Sequence, residues 1–74
     1  MFLPVSKIKD FAYNRENQTL TISFGYPTSS VVRFTDIPLE VFKELKSSDN
    51  YQEFYMTKIR GGVLDGHYGY KTIL

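Results

Sequence analysis

Thr19-Leu20-Thr21-Ile22-Ser23-Phe24 alternates hydroxyl-bearing with apolar residues at a period of two, and that spacing decides the fold. Successive side chains of an extended chain point to opposite faces, so Leu20, Ile22 and Phe24 share one face and Thr19, Thr21 and Ser23 the other. The segment reads as a half-buried strand. Upstream, Ile8 to Tyr13 carries β-compatible residues. Asn14-Arg15-Glu16-Asn17-Gln18 between them supplies turn chemistry through asparagines, which tolerate left-handed backbone angles. The two segments are expected to pair as an antiparallel hairpin. Downstream, Gly25-Tyr26-Pro27-Thr28-Ser29-Ser30 reads as a loop, and Val31-Val32-Arg33-Phe34-Thr35 resumes the alternation with Val32 and Phe34 inward and Arg33 and Thr35 outward. Connections this short favour a three-stranded meander.

Asp36-Ile37-Pro38 ends the strand pattern, because proline fits the first helical turn and an aspartate just before it can cap free amides. A helix is expected from about Pro38 to Lys46, with Val41, Phe42 and Leu45 on its apolar stripe. Ser47-Ser48 breaks it. Asp49, with Gln52 three residues on, reads as the cap of a second helix. Behind that cap Tyr51, Phe54, Tyr55, Lys58 and Ile59 recur at helical spacing, and Gly61 is expected to end the helix in a left-handed turn. The predicted core is Ile8, Phe11, Leu20, Ile22, Phe24, Val32, Phe34, Val41, Phe42, Leu45, Phe54 and Ile59. The fold class is therefore α+β: a three-stranded antiparallel meander with two short helices packed on one face. Residues 1–60 form the domain, and residues 61–74 form a glycine- and tyrosine-rich extension. The other face of the sheet, with Thr19, Thr21, Ser23, Arg33 and Thr35, is left to solvent or a partner.

Composition narrows the function. The chain has 74 residues, a size that buries only about 60% of its unfolded surface. Its six Phe and six Tyr offset that shortage, since each aromatic side chain buries about 150–250 Å². With no Cys, disulfides, cysteine zinc sites and thiol catalysis are excluded. Nine Lys plus Arg against eight Asp plus Glu give a net charge of +1, too balanced to attract nucleic acid or membrane by bulk charge. Met1-Phe2-Leu3-Pro4-Val5 has no basic leader, and no run reaches the roughly 18 apolar residues of a membrane span. A soluble cytoplasmic protein is expected. Histidine is the residue type suited to proton transfer near neutral pH, and His67 is the only one in the sequence. A Ser6, His67, Asp65 arrangement would need rigid shared geometry, and Asp65-Gly66-His67 sits in a glycine-rich tail. No catalytic residue, metal or cofactor is expected.

Several short stretches, in order, resemble the KTSC domain, a small module similar to a C-terminal extension of some lysyl-tRNA synthetases and found in bacterial and phage proteins. They are Val5-Ser6-Lys7-Ile8, Phe11-Ala12-Tyr13-Asn14, Leu20-Thr21-Ile22-Ser23-Phe24, Ile37-Pro38, Val41-Phe42 with Leu45, Phe54-Tyr55 and Ile59-Arg60. Val5 stands where the family has a first serine, Ala12 where it has glycine, and Met56 where it often has asparagine. The resemblance implies a non-enzymatic module that binds protein or RNA.

Two binding modes follow. In the first, Lys7, Lys9, Arg33 and Arg60 converge on phosphates while Tyr13, Tyr26, Tyr68 or Tyr70 stack bases, as in binders of single strands. In the second, which the apolar tail favours, the chain docks on a protein. Small regulators of this type, including phage-encoded ones, bind host machinery such as RNA polymerase, and the resemblance implies transcription regulation by a monomer. The expected contact residues are Ser6, Lys7, Lys9, Arg33, Arg60, Tyr68 and Tyr70.

Overall fold

In the computed structural model, which describes residues 3–74, the alternating segment forms β2 (Thr19–Tyr26), flanked by β1 (Lys7–Asn14) and β3 (Ser30–Thr35). All pairings are antiparallel. The sheet has four strands rather than the expected three, because β4 (Gly69–Thr72) joins β3 and gives the order β1-β2-β3-β4. Gly69-Tyr70-Lys71-Thr72 carries no apolar alternation, so its strand character comes from pairing with β3. The expected C-terminal extension thus folds back onto the sheet in part, as a strand.

Asn14 starts the first turn with its side chain, Oδ1 accepting from the amides of Glu16 at 2.9 Å and Asn17 at 3.3 Å. The positive backbone angle falls on Gln18 (φ 54°), not on an asparagine. In β1 the register slips on either side of Ile8 and leaves Lys9 without a partner, so Ile8 opposes Phe24 while Phe11 opposes Ile22. This bulge keeps both apolar residues of the edge strand on the core side despite their odd spacing.

Two helices cover one face. The first, α1 (Leu39–Ser47), follows Pro38 as its N-cap, which makes no side-chain capping bond. Asp36 adopts φ 61° and turns the chain, rather than capping the helix. The second, α2, is continuous over residues 51–64, with a π-helical segment Tyr55–Ile59 between α-helical turns Tyr51–Phe54 and Arg60–Leu64. Its cap is Asn50, whose Oδ1 accepts from Glu53 N at 3.0 Å. Asp49, the expected cap, lies one residue too early. Nor does the helix end at Gly61. It runs through Gly61 and Gly62 to Leu64 and closes at Gly66 (φ 84°) in a Schellman turn, with His67 N donating to Gly62 O at 2.8 Å and Gly66 N to Val63 O at 3.0 Å. Gly62 is kept inside the helix by packing, because a Cβ there would overlap the Tyr68 ring.

The core holds Leu20, Ile22, Phe24, Val32, Phe34, Leu45 and Ile59 as expected, and adds Leu3, Ile37, Tyr55 and Val63. Ile8, Phe11, Val41, Phe42 and Phe54 are only partly buried and pack around it. Tyr55 sits at the centre. Its ring lies edge-on to Phe24 at 5.1 Å and Phe34 at 5.9 Å, and its hydroxyl donates to Pro4 O at 2.8 Å. Burial pushes its pKa up to about 12, against the nearby Arg60 charge, which lowers it.

Two predictions follow from these contacts. Tyr55→Phe orphans the buried Pro4 carbonyl and is expected to cost about 1–3 kcal/mol in urea unfolding. The unfolded chain releases the tyrosine proton near pH 10 and the folded one near 12, so the wild-type stability contributed by this group is intact below pH 10 and falls between the two values. The Phe variant should lack that loss. Asn50→Ala is expected to cost about 1 kcal/mol, while Asp49→Ala is expected to be near neutral in the same assay. Equal losses would return the cap to Asp49.

Candidate functional site

The segment before β1 is held by polar side chains of α2. Gln52 presents its side-chain amide to the β1 edge as a neighbouring strand would, Oε1 accepting from Ile8 N at 2.9 Å and Nε2 donating to Ser6 O at 2.9 Å. Farther along the same strand Phe11 N donates to Asp10 Oδ1 at 2.8 Å. Gln52 was expected to serve a capping box. Its place in the sequence, three residues after an acid, suits either role, and only the approach of α2 to β1 decides between them.

The strand registers order the uncovered face into rows. Ala12, Thr21, Arg33 and Lys71 form one row across all four strands. Asp10, Ser23 and Val31 form the next. Arg33 and Lys71 are both exposed and directly opposed. Opposed like charges disfavour the sheet by a few tenths of a kcal/mol to about 1 kcal/mol. Thr19, Thr21, Ser23 and Thr35 are half-buried among their neighbours on this face. Lys9, released by the bulge, runs its stem beside Gly25.

The expected contact residues separate into three groups. Lys7, Lys9 and Arg33 are exposed, and Lys7 Nζ lies 6.0 Å from the centroid of the exposed Tyr26 ring. Ser6 is only 5% exposed, so the structure gives it an anchoring place beneath Gln52. Arg60, Tyr68 and Tyr70 belong to the helical side. Arg60 is half-buried with its Nε enclosed and without a hydrogen-bond partner. Tyr68 packs on Gly62, and Tyr70 opposes Phe34 against the core. Sequence reading passed over Lys71, because only the β4 register sets it beside Arg33. Ile73 and Leu74 extend past β4 as exposed apolar residues. Their backbone still follows β3, Ile73 N donating to Val31 O at 2.7 Å.

This architecture can be set beside known proteins. The model of the KTSC domain matches residues 5–62, most of the chain. The chain belongs to the KTSC domain family. No curated protein matches it significantly. Within the KTSC span, the three departures from the family pattern fall in different environments. Val5 and Ala12 are exposed, whereas Met56 is half-buried and packs against the core. The matched span closes at Gly62, so β4 lies beyond it. His67 is exposed in the turn that leads to β4. No helix of the described residues is long and apolar enough to cross a membrane.

The Gln52 bridge is testable by one isosteric change. Gln52→Glu replaces the Nε2 donor by a carboxylate oxygen facing the Ser6 carbonyl, and is expected to destabilise by about 1–3 kcal/mol at pH 7. Part of that loss should be recovered near pH 4, where the glutamate protonates and can donate again. An unchanged midpoint in urea at both pH values would remove the bridge from the stability of the fold.

Proposed function

We propose that the chain is a non-catalytic regulator that docks through the uncovered sheet face on an acidic surface of a protein of the nucleic-acid machinery, with RNA polymerase as the candidate. The observation that carries this reading is the opposed Arg33 and Lys71 pair. Two cations set against each other work against the fold, and an anionic partner would turn that cost into attraction. Lys9 adds a third cation near the bulge. The hydroxyls of Thr21, Ser23 and Thr35 supply hydrogen bonding between the charges, and exposed Ile73 and Leu74 offer an apolar margin beside β4. A second reading, direct binding of single-stranded RNA, draws support from exposed Tyr26 beside Lys7, an aromatic ring and a cation together being the usual stacking platform.

Charge reversal separates folding from binding. Lys71→Glu places an acid opposite Arg33, so stability should rise by a few tenths of a kcal/mol while binding to purified bacterial RNA polymerase falls about tenfold or more. Binding that survives the reversal would sink the docking surface. Retention of RNA in its place, lost steeply between 50 and 200 mM salt, would favour the second reading.

A further inference from the structure

At the far end of β1 from Gln52, the first turn and α1 enclose an open groove of about 530 Å³ lined by Tyr13, Arg15, Leu39, Phe42, Lys43, Lys46 and Ser47. Three of these carry positive charge and none is acidic. The acids nearest in sequence, Glu16 in the turn and Glu40 and Glu44 on α1, stay outside the lining. The floor is apolar and aromatic. Tyr13 and Phe42 stack with centroids 4.6 Å apart and planes 11° from parallel, and Lys46 Nζ lies 5.7 Å from the Phe42 centroid.

The aromatic floor and the backbone that carries the cations are fixed before any ligand arrives. Tyr13 is tied by its hydroxyl, which donates to Ile37 O at 2.6 Å. Arg15 projects from a turn pinned by the two bonds to Asn14 Oδ1. Lys43 and Lys46 stand three residues apart on α1, so they share a side of the helix. The Ser47 hydroxyl is spent within the helix, donating to Lys43 O at 2.9 Å. A lysine in the last turn of a helix is ordinarily a partner for its negative end. That accounts for Lys46, but not for Lys43 one turn earlier or for Arg15 on a different element. Another groove, beside the start of α2, differs in kind, since Asp49 and Glu53 line it along with Lys58.

We propose that this groove binds a nucleoside polyphosphate, its base against the Tyr13–Phe42 pair and its phosphates between Arg15, Lys43 and Lys46. Its volume lies in the range of small-ligand sites, roughly 300–1,000 Å³. A flat ring suits the aromatic floor, and a chain of phosphates suits three cations without a competing carboxylate. The site stands apart from the sheet face, so neither reading depends on the other.

An amide NMR titration of the full chain tests this, with ATP, adenosine, inorganic tripolyphosphate and a single-stranded oligoribonucleotide as separate probes. ATP is expected to shift residues 13–15 and 39–47 and to bind more tightly than adenosine or tripolyphosphate. The Lys43→Gln, Lys46→Gln double variant, at two exposed positions, should keep its amide spectrum elsewhere and weaken ATP binding about tenfold or more. Several results would overturn the assignment: no shifts in the groove at millimolar ATP, equal affinity for tripolyphosphate, or unchanged binding by the double variant. A higher affinity of the oligoribonucleotide for the same residues would replace the mononucleotide with a strand.

Discussion

The Tyr55 hydroxyl donates to the carbonyl of Pro4, and through that bond the chain before the sheet, the helix over the sheet and the sheet itself share one anchor. The ring fills the space between Phe24 on β2 and Phe34 on β3, so the phenol has an apolar body in the core and a polar tip at the Pro4 carbonyl. A phenylalanine would fill the same space and leave that carbonyl bare. The contact joins residues 51 positions apart. In a chain this small, where the core alone is marginal, such a link fixes the first segment as part of the fold.

The π-helical segment beginning at Tyr55 serves the same anchor. Arg60 N–H donates to Tyr55 O, five residues back rather than four, which widens the turn. Tyr55, Ile59 and Val63 then all face the core along one line, and Gly62 comes close enough to the tail for Tyr68 to lie on its bare backbone. Wide turns of this sort concentrate where a helix does more than pack. Here the widened turn ends at Arg60, the residue with an enclosed Nε.

Much of the architecture was legible where local pattern and tertiary environment agree. The period of two in β2, the resumed alternation in β3 and the Pro38 boundary all describe what packing then enforces. Legibility failed where a residue serves two grammars. Gly61 and Gly62 have the propensity of a helix stop, but ring packing against Gly62 outweighs propensity. Tyr55 belongs to the helical stripe, yet its hydroxyl disguised it as a surface residue. Asp49 and Asn50 are both good caps, and one residue of helical phase chooses between them. The strand in the tail is invisible because Tyr70 is its only core-facing aromatic, and Arg33 meets Lys71 only after that strand is placed. The groove is hidden for the same reason: Arg15 and Lys43 are far apart in the chain, and each alone is an ordinary solvated charge.

The Gln52 amide on β1 has a consequence for how copies of this protein can meet. A sheet with two free edges can add strands at both and grow into a filament. At one edge here Ile8 N–H is occupied by Gln52 and Phe11 N–H by Asp10, and the Lys9 bulge breaks the straight run that an incoming strand would follow. The β4 side is the edge left to pair. Pairing through the β4 edge alone would join two copies and leave no such edge for a third, a closed pair rather than a fibre.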